Sequence, residues 1–166
     1  STTFSIQPDG SCSSSTCTAT IAGAHTVTAT NNGVTGTGAL RIDAAGLDHL
    51  VLSPASSSVA VGDSRSYSVE GRDAFGNSLG DLTLNASFAI QPEGSCSGAT
   101  CAASAPGPHS VTASIGNAMG TATLQAVAID HIAVGPAAAS IEAGGSQAYT
   151  AEAFDAAGNS LGDVTA

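Results

Sequence analysis

Apolar and polar side chains alternate along one stretch of this sequence, which reads Asp81-Leu82-Thr83-Leu84-Asn85-Ala86-Ser87-Phe88-Ala89-Ile90. The even-numbered residues are apolar, and those between them are polar or small. A period of two is typical of a half-buried β-strand. The pattern therefore predicts one continuous strand over 81–90.

The two ends of the chain reproduce this stretch when they are joined. Asp163-Val164-Thr165-Ala166 followed by Ser1-Thr2-Thr3-Phe4-Ser5-Ile6 has the same alternation. On this reading one strand is divided between the two ends. The residues predicted to complete it between successive units are Val164, Ala166, Thr2, Phe4 and Ile6.

The chain is an internal repeat with two periods of about 83 residues. The stretch from Phe4 to Cys12 returns 84 residues later, and that from Asp73 to Asp81 returns 82 residues later. These two offsets together equal the length of the chain, 166 residues. Units of this size bury only a thin core.

Other segments follow the same period of two, around Tyr67, Val111 and Leu124. Clusters of Gly, Asn, Asp and Pro separate them at intervals of roughly ten residues, as in a sandwich or barrel. No segment has helical periodicity. The sequence therefore predicts an all-β fold.

Composition excludes several classes of partner. The chain has 13 acidic residues and three basic ones, all arginine, for a net charge of −10. Nucleic acid and anionic membranes are poor partners for such a surface. No apolar run approaches the roughly 20 residues of a membrane span, so we expect no membrane insertion.

The four cysteines form two pairs of identical spacing, Cys12 with Cys17 and Cys96 with Cys101. Pairs this close can each close across a tight hairpin, which predicts two local disulfides and an extracellular location. The alternatives are free thiols or half of a metal site. They are disfavoured because no second ligand pair accompanies either motif.

Three further motifs resemble bacterial immunoglobulin-like (Big) domains. They are the opening from Pro54 to Gly62, the turn from Asp73 to Asn77, and the strand from Gly107 to Ala113. The resemblance implies tandem immunoglobulin-like β-sandwiches of an extracellular surface or filament protein. Phe4 and Phe88 stand where many relatives carry tryptophan, and the cysteine pairs are not a family feature.

The same resemblance sets the expected domains. Residues 1–46 supply strands C to G of one domain, 47–127 form a complete domain, and 128–166 supply strands A and B of the next. One sandwich is therefore complete and one is split between the ends. The units follow one another head to tail, so the chain is its own partner, either as part of one long polypeptide or as separate subunits that complete each other. We favour the long polypeptide because a strand divided at its centre is not a natural terminus.

Oxygen-bearing side chains surround the Gly-Asn turn in both repeats with the same spacing, which makes the turn a weak candidate for calcium. The turn itself explains them better, since Asp caps backbone amides there and the spacing matches no dedicated calcium loop. We therefore expect no cofactor. The residues in question are Asp73, Asn77, Asp81, Asp155, Asn159 and Asp163.

Asn85-Ala86-Ser87 is the one N-glycosylation sequon, and Asn85 is predicted on the outer face of its strand. Strand alternation alone already explains a polar residue there. His49 and His131 follow an aspartate at the predicted start of each unit, where they could contact the neighbouring domain. No catalytic motif is present, so an enzyme is not expected.

These observations favour a structural role in an extracellular filament or cell-surface stalk. Two other hypotheses remain open. One is an adhesin or carbohydrate-binding array with surface glycans as partners, which predicts an exposed aromatic or acidic cluster at one end of the sandwich that only Phe75 and Phe154 approach. The other is a spacer in a secreted hydrolase.

Overall fold

The computed structural model describes residues 1–165, so Ala166, one of the residues predicted to complete a strand, lies outside the described part. The all-β prediction is confirmed. The strands up to the middle of the chain are β1 (Thr3–Gln7), β2 (Ser11–Ser13), β3 (Thr16–Thr18), β4 (Gly23–Asn31), β5 (Val34–Ile42), β6 (His49–Ser53), β7 (Ser56–Ala60), β8 (Ser64–Ser66) and β9 (Ser68–Arg72).

The remaining elements are a short 3-10 helix (Thr83–Asn85) and nine strands. These strands are β10 (Ser78–Asp81), β11 (Ser87–Gln91), β12 (Gly94–Ser97), β13 (Thr100–Ala103), β14 (Gly107–Ile115), β15 (Ala118–Val127), β16 (His131–Gly135), β17 (Thr150–Phe154) and β18 (Ser160–Asp163).

The strands reproduce the sequence repeat with the same register. Phe4 faces Ala29 across β1 and β4, and Phe88 faces Ala113 across β11 and β14. Strands β1 to β5 are thus the counterparts of β11 to β15. In the same way β16, β17 and β18 are the counterparts of β6, β9 and β10. We call β1–β5 the first copy of the repeat, β6–β15 the complete copy and β16–β18 the last copy.

The strands form several sheets, as expected for immunoglobulin-like β-sandwiches. The long hairpins β4–β5 and β14–β15 are antiparallel, whereas β7 pairs with β15 in parallel. The sheet orders are β1-β4-β5, β2-β3, β10-β9-β6, β11-β14-β15-β7, β12-β13-β8 and β16-β17-β18.

Two compact units are formed. The first contains Ser1–Leu50 and Glu70–Leu82, and the second contains Val51–Val69 with the chain from Thr83 onward. The domain boundaries expected from the sequence, 1–46, 47–127 and 128–166, stay a prediction.

The core of the second unit is built from small and branched side chains. Leu124, Val69, Val111 and Cys101 are fully buried there. Tyr67 is also buried, and its hydroxyl lies 3.2 Å from the Ser57 hydroxyl, so its polar end has a partner.

The prediction of one strand over 81–90 is wrong. Strand β10 ends at Asp81 and β11 begins at Ser87, with the 3-10 helix between them and Leu84 fully exposed. The chain changes sheets here, because β10 pairs with β9 whereas β11 pairs with β14. Alternation continues through the connection although no strand does.

This correction also applies to the residues expected to complete a strand. The positions equivalent to Val164, Ala166 and Thr2 lie in the connection of the complete copy, not in a strand. Phe4 and Ile6 do lie in a strand, β1, where Ile6 is buried. The argument from a divided strand therefore does not hold.

The contrast between equivalent leucines gives a test of the core. Leu124 is fully buried, whereas Leu40, its counterpart in β5, is only half-buried. We expect Leu124→Ala to lower the free energy of unfolding by about 2–5 kcal/mol, because it leaves a cavity. Leu40→Ala should cost clearly less in the same denaturant titration, and equal losses would contradict this description of the core.

Candidate functional site: the junction between successive repeats

The turn between β9 and β10 is organised by the side chain of Asp73, which is fully buried. Its Oδ1 accepts hydrogen bonds from the backbone N–H groups of Phe75 at 2.9 Å and Asn77 at 2.8 Å. Gly76 has a φ of +85°, a conformation that favours glycine. The sequence Asp-x-x-Gly-Asn therefore specifies the turn locally.

The second oxygen of Asp73 reaches the linker from the preceding repeat. Oδ2 accepts from the backbone N–H of Ala45 at 2.8 Å and from Nδ2 of Asn77 at 2.8 Å. Burial by itself raises the pKa of Asp73, but the hydrogen bonds from Asn77, Ala45 and Phe75 outweigh it and lower the pKa to about 2. The carboxylate is thus held ionised by N–H donors.

Asn77 binds a loop of the preceding repeat with both ends of its amide. Its Oδ1 accepts from the backbone N–H of Ala22 at 2.8 Å, and its Nδ2 donates to the carbonyl oxygen of Thr20 at 2.7 Å. All of these residues lie in the first compact unit. We call residues 20–22, Ala45 and residues 73–77 the junction clasp.

The bound loop is also fixed from within its own repeat. Asp9 Oδ2 accepts from the backbone N–H groups of Thr20 at 3.0 Å and Ile21 at 3.2 Å. Its Oδ1 forms an ion pair with Nε2 of His25, which is buried. The loop is therefore held by Asp9 on one side and by Asn77 on the other.

Both ring nitrogens of His25 face acceptors. Nε2 faces Asp9, and Nδ1 lies 3.3 Å from the carbonyl oxygen of Gly23. Two acceptors favour the doubly protonated ring. Accordingly the hydrogen bond with Asp9 raises the pKa of His25, while the same bond, with that from Thr20, lowers the pKa of Asp9 to about 2.

The complete copy lacks this arrangement of Asp9, His25 and the loop at residues 20–22. Glu93 stands at the position of Asp9, and the buried Nε2 of His109 has no hydrogen-bond partner among the described residues 1–165. Pro106 stands at the position of Ala22 and has no N–H to donate. The two copies thus present different loops to the repeat that follows.

Within residues 1–165, the last copy of the turn forms without hydrogen bonds from its Asp and Asn side chains to the preceding repeat. Asp155 Oδ1 accepts from the backbone N–H groups of Ala157 at 2.9 Å and Asn159 at 2.8 Å, and Oδ2 accepts from Asn159 Nδ2 at 2.9 Å. These bonds, with that of the Asn159 side chain first, lower the pKa of Asp155. Asn159 is exposed.

The structure does not gather the weak calcium candidates into one site. Both Asp73 oxygens face N–H donors, as described above. Asp81 ends β10 opposite Glu70, and Asp163 ends β18 opposite Glu152. Within residues 1–165, no three His, Cys, Asp or Glu side chains are placed to hold one metal ion.

The other predicted residues are not members of the clasp. His49 Nδ1 is 2.9 Å from Asp48 Oδ2, and His131 Nδ1 is 3.1 Å from Asp130 Oδ2, so each pairs with its neighbour in sequence. Asn85, predicted on a strand, instead ends the 3-10 helix and is exposed. No helix in the described part of the chain is long and apolar enough to cross a bilayer.

The disulfide prediction is confirmed for both pairs. Cys12–Cys17 and Cys96–Cys101 each have an S–S distance of 2.06 Å. They join directly opposed residues of the β2–β3 and β12–β13 hairpins. Each disulfide closes its hairpin near the turn.

Sequence reasoning missed the partners of the turn, namely Asp9, Thr20, Ala22 and Ala45. The bonds of Thr20, Ala22 and Ala45 to Asp73 or Asn77 span up to 57 residues and use backbone groups, which carry no sequence signal, whereas Asp9 acts indirectly by holding the loop at Thr20 and Ile21. The one signal in the sequence that could have pointed to this contact is that Asp9 and His25 flank the loop at residues 20–22 within one repeat.

Comparisons with known proteins give structural likenesses only. No protein-family model matches the chain, and no curated protein matches it. The chain is similar to the S-layer protein SbsC, at 19% identity and a TM-score of 0.48 over 99% of this chain and 24% of that one. A structure of SbsC domains 4–9 gives 23% identity and a TM-score of 0.43, over 99% and 29%.

The third likeness is to FdeC, an Escherichia coli adhesin, at 17% identity and a TM-score of 0.39 over 83% of this chain and 52% of that one. This chain spans about a quarter of the length of the SbsC chain and about half that of FdeC. Likenesses of this size do not assign a family, and the resemblance to bacterial immunoglobulin-like domains stays a prediction.

The Asp9–His25 pair predicts a pH dependence of stability. Because folding raises the pKa of His25, its contribution is fully present below the unfolded value of 6.5 and is lost as the pH rises through the folded pKa. Because folding lowers the pKa of Asp9, its contribution is present above 3.8 and is lost as the pH falls towards 2. We expect the melting temperature of the first unit to fall between pH 6 and pH 9.

Matched variants identify the source of this dependence. Asp9→Asn should flatten the fall in melting temperature above pH 6, whereas Glu93→Gln should leave it unchanged. Calorimetry of both variants over pH 5–9 measures this, and an unaltered slope in Asp9→Asn would show that another group is responsible.

Proposed function

We propose that this chain is a structural, non-enzymatic repeat segment of an extracellular filament or cell-surface stalk. The array consists of tandem immunoglobulin-like domains that follow one another head to tail. Its function is mechanical: it spaces successive domains along the array.

The junction clasp is the observation that carries this proposal. Asp73 and Asn77 belong to one repeat and bind backbone groups of the repeat before it at three points, Ala45 N, Ala22 N and Thr20 O. Side chain to backbone bonds of this kind hold a linker without requiring a particular side chain on the other partner. Such a contact limits bending between neighbouring domains.

The chemistry of the polar groups also fits a structural role. The carboxylates of Asp9 and Asp73 are occupied by backbone amides and by His25 or Asn77. Groups used in this way position the backbone. The proposal therefore assigns no catalytic residue.

Charge and disulfides support an extracellular location. A net charge of −10 with no lysine keeps a long acidic array soluble and opposes side-by-side association. Two disulfides form and persist in an oxidising compartment.

The proposal is tested by Asn77→Ala with Asn159→Ala as the matched control. Both variants lose the bond within the turn, but only Asn77→Ala loses the bonds to Thr20 and Ala22. We expect Asn77→Ala to lower the free energy of unfolding of the first unit by about 1–3 kcal/mol more than Asn159→Ala lowers that of the second unit, because two further hydrogen bonds are lost.

A mechanical readout separates the clasp from general stability. Small-angle scattering should show a broader distribution of interdomain distances for Asn77→Ala than for Asn159→Ala. Identical distributions, with both variants folded, would mean that the clasp does not stiffen the array.

An adhesive function is the second candidate, and exposed Phe75 favours it. Phe75 lies at the tip of the turn and is 64% exposed, whereas Phe154 is half-buried and stacks on His131 with ring centroids 5.2 Å apart. An exposed aromatic ring can stack on a sugar. If the chain binds surface glycans there, Phe75→Ala should abolish binding on a glycan array, and an array without any signal for the parent chain would reject this function.

A further inference from the structure

Three apolar side chains of the last copy are exposed although their counterparts in the complete copy are buried. They lie on one face of the sheet β16-β17-β18 or directly before β17. The exposed fractions are 53% for Ile132 against 4% for Leu50, 55% for Val134 against 3% for Leu52, and 50% for Tyr149 against 3% for Tyr67.

In the first copy, the apolar face of the opposite sheet is less buried than in the complete copy. In the complete copy Val111, Ala113 and Leu124 are completely buried on the sheet β11-β14-β15-β7. Their counterparts Val27, Ala29 and Leu40, on the sheet β1-β4-β5, are only half-buried.

Strand edges show the same relation. In the complete copy β7 pairs with the edge of β15, and β8 pairs with the edge of β13. The counterparts of β15 and β13 in the first copy are β5 and β3. Each is the last strand of its sheet, with nothing paired beyond it in the described chain.

The segments that would pair with these edges lack strand structure. Residues 138–142 and 146–148 are the sequence counterparts of β7 and β8, yet neither forms a strand within the described residues. The last copy thus has two unformed strands and one uncovered apolar face, and the first copy has two open edges and the other apolar face.

We propose that the last copy of one 166-residue unit and the first copy of the next form one immunoglobulin-like domain together, so that two copies of the 166-residue chain join through these surfaces. Residues 138–142 add in parallel to β5, residues 146–148 add to β3, and Ile132, Val134 and Tyr149 cover Val27, Ala29 and Leu40. Strand addition to an open edge supplies the backbone hydrogen bonds. This inference rests on the proposed head-to-tail array and names the surfaces through which its successive units join.

The complete copy supplies the hydrogen-bonding pattern. Thr123 N donates to Ala55 O at 2.9 Å between β15 and the start of β7. By the repeat, Ala39 N of one chain donates to Ala137 O of the other. Because the two surfaces differ, the contact is heterologous and gives linear chains, not closed dimers.

The first experiment measures the assembly of the 166-residue chain. Light scattering after size exclusion should show a ladder of masses that grows with concentration, and electron microscopy should show linear particles. A single monomer mass at every concentration, or a closed dimer alone, overturns the proposal.

Adjacent residues of β16 provide a matched pair of variants. Ile132→Asp places a charge on the docking face, and Ala133→Asp places the same charge on the opposite face of the same strand, where both side chains are exposed. We expect Ile132→Asp to weaken association at least tenfold and Ala133→Asp to leave it unchanged. Equal effects of the two variants would overturn the assignment of the face.

A mixing experiment tests the polarity of the contact. Ala39→Pro removes the edge donor of the first copy and keeps the last copy intact, whereas Ile132→Asp does the reverse. Each variant alone should be monomeric, and their mixture should give a 1:1 dimer that does not grow. Thr37→Pro, on the same edge, replaces Ala39→Pro if circular dichroism shows loss of folding.

The mixture discriminates this inference from the proposed function. Absence of the 1:1 dimer overturns docking between chains, even if Asn77→Ala still loosens the junction within one chain. Conversely, dimer formation supports docking whatever the outcome at Asn77.

Discussion

The buried carboxylate of Asp73 is the constraint on which the organisation of this chain depends. Burying an ionised group without partners is costly, and here four N–H bonds offset that cost. Two of these donors are backbone amides of the turn itself, one is the Asn77 side chain, and one belongs to the linker from the preceding repeat. A single side chain therefore fixes both a local turn and its connection to the neighbouring repeat.

The repeat provides an internal comparison that separates these two roles. Asp155 and Asn159 form the same turn with nearly the same distances, although within residues 1–165 their side chains make no hydrogen bond to the preceding repeat. The turn is thus a property of the local sequence. The clasp, in contrast, requires the loop at Thr20–Ala22 to be held in place, which Asp9 does with the help of His25.

The sequence predicted what local patterns can encode and missed what they cannot. Alternation around Val111 and Leu124 was enough for an all-β fold, and the equal spacing of the cysteines was enough for both disulfides. Alternation failed over 81–90 because a period of two continues through a segment in which the chain passes from one sheet to another. The partners of Asn77 were missed because they are backbone groups more than 50 residues away.

Pro106 stands in the complete copy at the position that Ala22 has in the first copy. This difference has a consequence for any longer array of this sequence. A proline offers no amide hydrogen to the asparagine of the next repeat, so that joint lacks one of the bonds formed at the first joint. In the proposed array, stiff and compliant joints would therefore alternate. Its flexibility would have a repeat of two domains, and bending under load would concentrate at every second joint.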